Sequence, residues 1–168
     1  MRKFIVLSIV LLMLAGFAIT SSAMEVAVDI KPQSCPNPLN VKSKGVLPVA
    51  ILGTEDFDVT QIDTTTIAIM EVVPLRWALE DVATPYESEP LPSSLTDVPE
   101  PCLNCIEEGS DGFLDLTLKF DIQEIVIALG EVFDGDCLSL TLTGNLLEEF
   151  GGTPIVGEDV IFIIQKGK

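Results

Sequence analysis

SDGFLDLTLKFD, residues Ser110 to Asp121, is the stretch that decides the fold. Leu114, Leu116, Leu118 and Phe120 fall on one face, and Asp115, Thr117, Lys119 and Asp121 on the other. That period of two belongs to a strand with one face in the core and one outside it. At its entrance stand Asp111, Gly112 and Asp115: two hard oxygen ligands around a residue that permits a tight turn, the raw material of a calcium site.

Outward from this strand the chain reads as further strands between turns. Val26, Val28 and Ile30 alternate with Ala27, Asp29 and Lys31, which predicts a strand from about Glu25 to Lys31, stopped by Pro32. QSCPNPLNVKSKG, residues 33–45, is proline- and asparagine-rich and should be irregular. The continuous apolar run Val46 to Leu52 suits a strand buried on both faces, with Pro48 marking an edge or a bulge. Another strand is expected from about Thr66 to Val73. Trp77, the single tryptophan, reads as a packing residue rather than a sugar platform. Residues 83–109, with five prolines and six carboxylates, read as a surface loop inserted between strands.

Downstream, Ile122 to Leu129 fits neither period cleanly, and a helical turn followed by extended chain is expected. Asp134-Gly135 signals a hairpin. Leu138, Leu140 and Leu142 alternate with Ser139, Thr141 and Thr143, and the run Val160 to Ile164 closes the chain's strands. Many short strands, Gly and Pro turns and almost no amphipathic helix predict an all-β fold. The expected form is an antiparallel β-sandwich of Ig-like type, one domain over residues 24–168 with a long Pro/acidic loop at 83–109.

Met1 to Ala23 has the parts of a signal peptide: Arg2 and Lys3, an apolar run from Phe4 to Ala18, then Ser21-Ser22-Ala23 for cleavage. The apolar run falls short of the roughly 20 residues a spanning helix needs, and no later stretch could span a membrane. The mature chain is therefore expected outside the cytoplasm, secreted or at the cell surface, the periplasm included. Seven of the nine basic residues and all 26 acidic ones lie beyond Ala23, a net charge of −19. Such a surface repels nucleic acid and anionic lipid and attracts divalent cations.

Four cysteines in an exported chain point to disulfides. Three pairings are open on sequence alone. Cys102 and Cys105 form a CxxC inside a loop rich in proline and acid, while Cys35 and Cys137 sit at the ends of segments that look like strands, and the expected pairs are Cys35 with Cys137 and Cys102 with Cys105. A zinc site on the CxxC lacks a second CxxC and any histidine.

VDIKPQSCPNPLNVKSKGVLPVAILGTEDFDV (28–59), LEDVATP (79–85), DGFLDLTLKFDIQEI (111–125), LTGNL (142–146) and GGTPIVGEDV (151–160) together resemble a recurrent module of exported bacterial and archaeal proteins. In that module the EDV string runs almost directly into a DGDGDLDL segment. The resemblance implies the fold and secretion, with calcium suggested but no established activity. Asp81 matches the aspartate of EDV, and Asp111 and Asp115 match the acidic turn. The chain departs by its 83–109 insertion and by fewer aspartates in the turn.

The expected function is thus a secreted, non-catalytic, calcium-stabilised module with a structural or binding role. Its metal ligands would be Asp81, Asp111 and Asp115, and its partners copies of itself, another extracellular protein or a glycan. Against calcium stands the ordinary aspartate turn, in which carboxylates accept local N–H groups and glycine supplies positive φ. Asp134 and Asp136 form a weaker candidate of the same kind. Two rival functions are a self-assembling filament or surface-layer subunit with pairing strand edges, and a glycoside hydrolase using Glu80 with Asp111 or Asp115. The absence of histidine excludes Ser-His-Asp and Cys-His catalysis.

Overall fold

A computed structural model describes residues 22–85, 98–105 and 107–166. These run through β1 (Met24–Glu25), β2 (Val28–Ile30), β3 (Pro38–Asn40), β4 (Val46–Ile51), β5 (Ile62–Ile69), β6 (Arg76–Glu80), β7 (Asp115–Asp121), α1 (Ile122–Leu129), β8 (Cys137–Leu146) and β9 (Pro154–Ile164). The order β2-β4-β7-β6 makes one antiparallel sheet. In the second sheet β5, β8 and β9 pair antiparallel, and β1 and β3 both add in parallel along the remaining edge of β9. The chain is all-β in class. Ile30, Leu47, Val49, Ile51, Leu116, Leu118 and Phe120 from the first sheet meet Ile67, Ile69, Leu140, Leu142, Ile161 and Ile163 from the second in one apolar core.

The alternating segment becomes β7, an interior strand whose Leu116, Leu118 and Phe120 are fully buried, as its pattern requires. Pro48 also lies in an interior strand rather than at an edge or bulge. Its carbonyl accepts from Lys31 N–H on the β2 side, so the N–H that proline lacks faces the point where β2 has already ended at Ile30. No ladder bond is lost.

Several expectations are corrected. The first predicted strand is two: β1 pairs with β9, then the chain crosses at Val26 and Ala27 so that β2 pairs with β4. The crossing passes over Gly157 of β9, where an added Cβ would lie 2.5 Å from both the Val26 carbonyl oxygen and Val28 Cγ2. The strand expected at Thr66–Val73 starts earlier, at Ile62, and ends at a turn on Met70 and Glu71, both at positive φ. Ile122–Leu129 is helical throughout. Asp121 caps it by accepting from Gln123 and Glu124 N–H, and Gly130 ends it at φ 75°. Asp134-Gly135 joins α1 to β8 and is not a hairpin, because β8 pairs with the following β9.

The disulfides join Cys35 to Cys105 and Cys102 to Cys137, with Cα separations of 5.4 Å each. The expected pairing within the CxxC is therefore wrong. Glu100–Leu103 forms a 3-10 turn that packs on β8 and β9, which sends the two cysteines of the CxxC to different partners. The loop end is thus stapled to the body: Cys102, Leu103 and Cys105 are buried, and so is Ala83 at the loop's other end. The rest of the expected insertion, 86–97 and 106, and the leader up to residue 21 lie outside the described residues.

Candidate functional site

Asp81 and Asp111 meet where β6 leads toward the acidic turn. Asp81 accepts from Asp111 N–H at 3.0 Å and from Gly112 N–H at 2.9 Å, and Asp111 accepts from Phe113 N–H at 2.9 Å. Gly112 takes φ 100°, the conformation that lets consecutive N–H groups turn toward one carboxylate. Asp115 is fully buried. One of its oxygens accepts from Gly53 and the other from Val82 and Ala83. Burial pushes its carboxyl above the ordinary value while those three N–H groups pull it back. The three aspartates thus serve as acceptors for chain N–H groups. Among the described residues no group of three Asp, Glu, Cys or His side chains is arranged to hold a metal ion. Asp134 and Asp136 likewise accept backbone N–H groups, of Gln165 and Phe133.

Glu80 pairs with Asp115 across β6 and β7, and Glu80 accepts from the Thr117 hydroxyl at 2.8 Å. With Asp115 sealed beneath Val82 and Ala83, that pair does not line a shared open cleft. Trp77 is about half exposed on β6, an edge strand. Leu75 and Leu79, two residues to either side, are exposed with it. Leu75 and Trp77 line a shallow groove with Thr64, Thr65 and Ile67 of β5.

The site that sequence reasoning missed lies in the corner where β2 meets β9. Val28 and Ile30 point into the core, which puts Asp29 on the opposite face of its sheet, paired with Ala50. The segment through Val82 and Ala83 packs on that face against Ala50 and Leu52. Asp29 is 0% exposed, and among the described residues neither of its carboxylate oxygens has a hydrogen-bond partner. Asp159, buried on β9, accepts from Ile30 N–H at 2.7 Å and from the Asn37 amide at 2.9 Å through one oxygen, and from Val160 N–H through the other. Asn37, also 0% exposed, gives its amide N–H groups to Asp159 and to the Val160 carbonyl, while its Oδ1 has no partner.

The electrostatics follow from that burial. Loss of water pushes Asp29 up to about 7, and the nearby charges of Asp159 and Asp115 push the same way. Asp159 rises to about 6, again through burial, held lower by the donors from Ile30, Val160 and Asn37. Lys31, the basic residue next along the chain, gives its ammonium to the Pro38 carbonyl instead. In the sequence, Asp29 looks like any polar residue on the outward face of a strand. Nothing local shows that a distant segment covers it. Comparison with family models, curated proteins and solved structures finds no match for this chain.

Proposed function

We propose that the chain is an exported, non-catalytic module of Ig-like sandwich type, with a structural or binding role at the cell exterior and with calcium as a stabilising ligand. The observation that carries this reading is the pair of disulfides, each tying the acidic loop end to a separate part of the body. Cross-links that tie down a loop of that kind suit an oxidising compartment. In support of a non-catalytic role, Asp111 and Asp115 accept from backbone N–H groups and Glu80 accepts from the Thr117 hydroxyl. The test is recovery of the protein from the exported fraction of cells expressing the full chain. Its N-terminus should begin near Met24 and no cysteine should alkylate without reduction. Retention of an intact leader in the cytoplasm, with free thiols, would overturn the reading.

A second reading, assembly through sheet edges, draws support from β6. An edge strand with Leu75, Trp77 and Leu79 exposed offers both unpaired backbone and apolar side chains to another strand. Sedimentation at increasing concentration tests it. A Trp77→Lys chain that stays monomeric where the wild type associates would support it, and a wild type that stays monomeric at every concentration would count against it.

A further inference from the structure

We propose that Asp29, Asn37 and Asp159 form an internal calcium site in the corner between β2 and β9, distinct from the Asp81–Asp111 turn. The proposal rests on the calcium part of the reading above and gives that ion a different place. The covalent path and the hydrogen bonds set the proximity. Asp29 is joined by one peptide bond to Ile30 N–H, which lies 2.7 Å from Asp159 Oδ2, and that oxygen lies 2.9 Å from Asn37 Nδ2. β2 and β9 pack directly on one another at this corner.

Three acceptor atoms there have no donor: both oxygens of Asp29 and Oδ1 of Asn37, all out of contact with solvent. Unpaired buried acceptors of this kind are rare in folded proteins and call for a ligand. A proton on Asp29 supplies a single donor, too few for three atoms. A water molecule supplies donors but leaves two buried carboxylates with nothing to balance their charge. Asp115 adds a third negative charge from the β7 side, and the ammonium of Lys31, two residues along from Asp29, is engaged with the Pro38 carbonyl. A divalent cation answers both deficits at once.

The available atoms are all oxygens, two carboxylates and an amide, which suits a hard cation. Calcium accepts irregular sets of carboxylate and carbonyl oxygens, whereas magnesium requires a near-ideal octahedron and keeps its waters. Two carboxylates neutralise a doubly charged ion. The approach is also favourable: Asp159 lines a surface cleft together with Glu25, Glu158 and Asn104. That acidic mouth concentrates cations at the entrance.

The experiment is calorimetric titration of calcium into the chelator-stripped exported protein at pH 7.5, using wild type, Asp29→Asn and Asp111→Asn. Wild type and Asp111→Asn should bind one calcium alike, and Asp29→Asn should lose that binding by a hundredfold or more. A wild-type series from pH 5 to 7 guards against Asp29→Asn failing to fold. Because the ion must displace a proton from the corner, its affinity should rise by roughly tenfold per pH unit there, and magnesium should bind more weakly throughout. Calcium binding kept in Asp29→Asn and lost in Asp111→Asn would overturn this site while leaving calcium in the broader reading. A wild type whose affinity is flat across that pH range would overturn the site too. If the wild type binds no calcium, both this site and the calcium part of the broader reading fail, and the export reading stands untouched.

Discussion

The carboxylate of Asp159, on β9, accepts the backbone N–H of Ile30, on β2, at 2.7 Å and thereby ties the edge of one sheet to the other. β2 is only three residues long and pairs on one side with β4, so this contact is what satisfies its outward N–H at Ile30. Asp159→Ala should therefore cost about 3 kcal/mol, since a charged hydrogen bond is lost and both the Ile30 N–H and the Asn37 amide lose their acceptor. Urea denaturation at pH 7 measures it, and a loss within experimental error would show that the two sheets do not depend on this contact.

Stability in the absence of divalent cations should rise as the solution is acidified. Asp29 at about 7 and Asp159 at about 6 both lie above the ordinary carboxylate value of 3.8. The folded chain therefore holds protons that the unfolded chain has lost, and the stability this gives is gained as pH falls from about 7 toward 4 and lost as it rises. In chelator the melting temperature should be higher at pH 5 than at pH 8. General charge repulsion acts in the same direction, so the informative quantity is the difference between chains. Asp29→Asn should melt above wild type at pH 8 and gain less on acidification.

Non-reducing peptide mapping should recover Cys35 joined to Cys105 and Cys102 joined to Cys137. The bridges span 70 and 35 residues. On the chain-entropy account each contributes about 4 kcal/mol, the longer slightly more. Replacing Cys35 and Cys105 together by serine should lower the denaturation midpoint at least as much as replacing the other pair. A peptide containing an internal Cys102–Cys105 bridge would contradict the arrangement.

Gly157→Ala should destabilise the fold by about 1 to 3 kcal/mol, the usual range for overpacking. The new methyl group would press on the Val26 carbonyl and on Val28 where the chain crosses between the sheets. Gly112→Ala, in an open turn with nothing near the added atom, should cost less and act only through its positive φ. Thermal melting of the two variants side by side compares steric crowding with backbone strain.

The strands were legible in proportion to their alternation. Leu116 to Asp121 and Leu138 to Thr143 announce their inward faces and are strands, whereas Leu114, read with the inward face, lies before β7 and is exposed. The helix was half visible: a helical turn is expected at its start, but the apolar residues at 122, 125, 126 and 127 blur its period. The split of the first strand leaves no trace in local pattern, because Val26, Val28 and Ile30 alternate equally well on either sheet. Disulfide partners and the buried corner depend on contacts between residues far apart in the chain. Asp159 and Ile30, for instance, are separated by 129 positions, and no window on the sequence contains both.

The two parallel additions to β9 set the order in which the molecule can be completed. Met24 pairs with Ile155, and Pro38 to Asn40 pair with Phe162 to Ile164. Those two strands thus have no partner in their own sheet until β9 is available. Pairings between strands so far apart in the chain raise the mean sequence separation between contacts, and such topologies form slowly. Until β9 arrives, the second sheet is the β5–β8 pair alone, so the core-facing side chains of β2 and β4 are only partly covered and the nascent chain depends on whatever shields apolar strands during that interval.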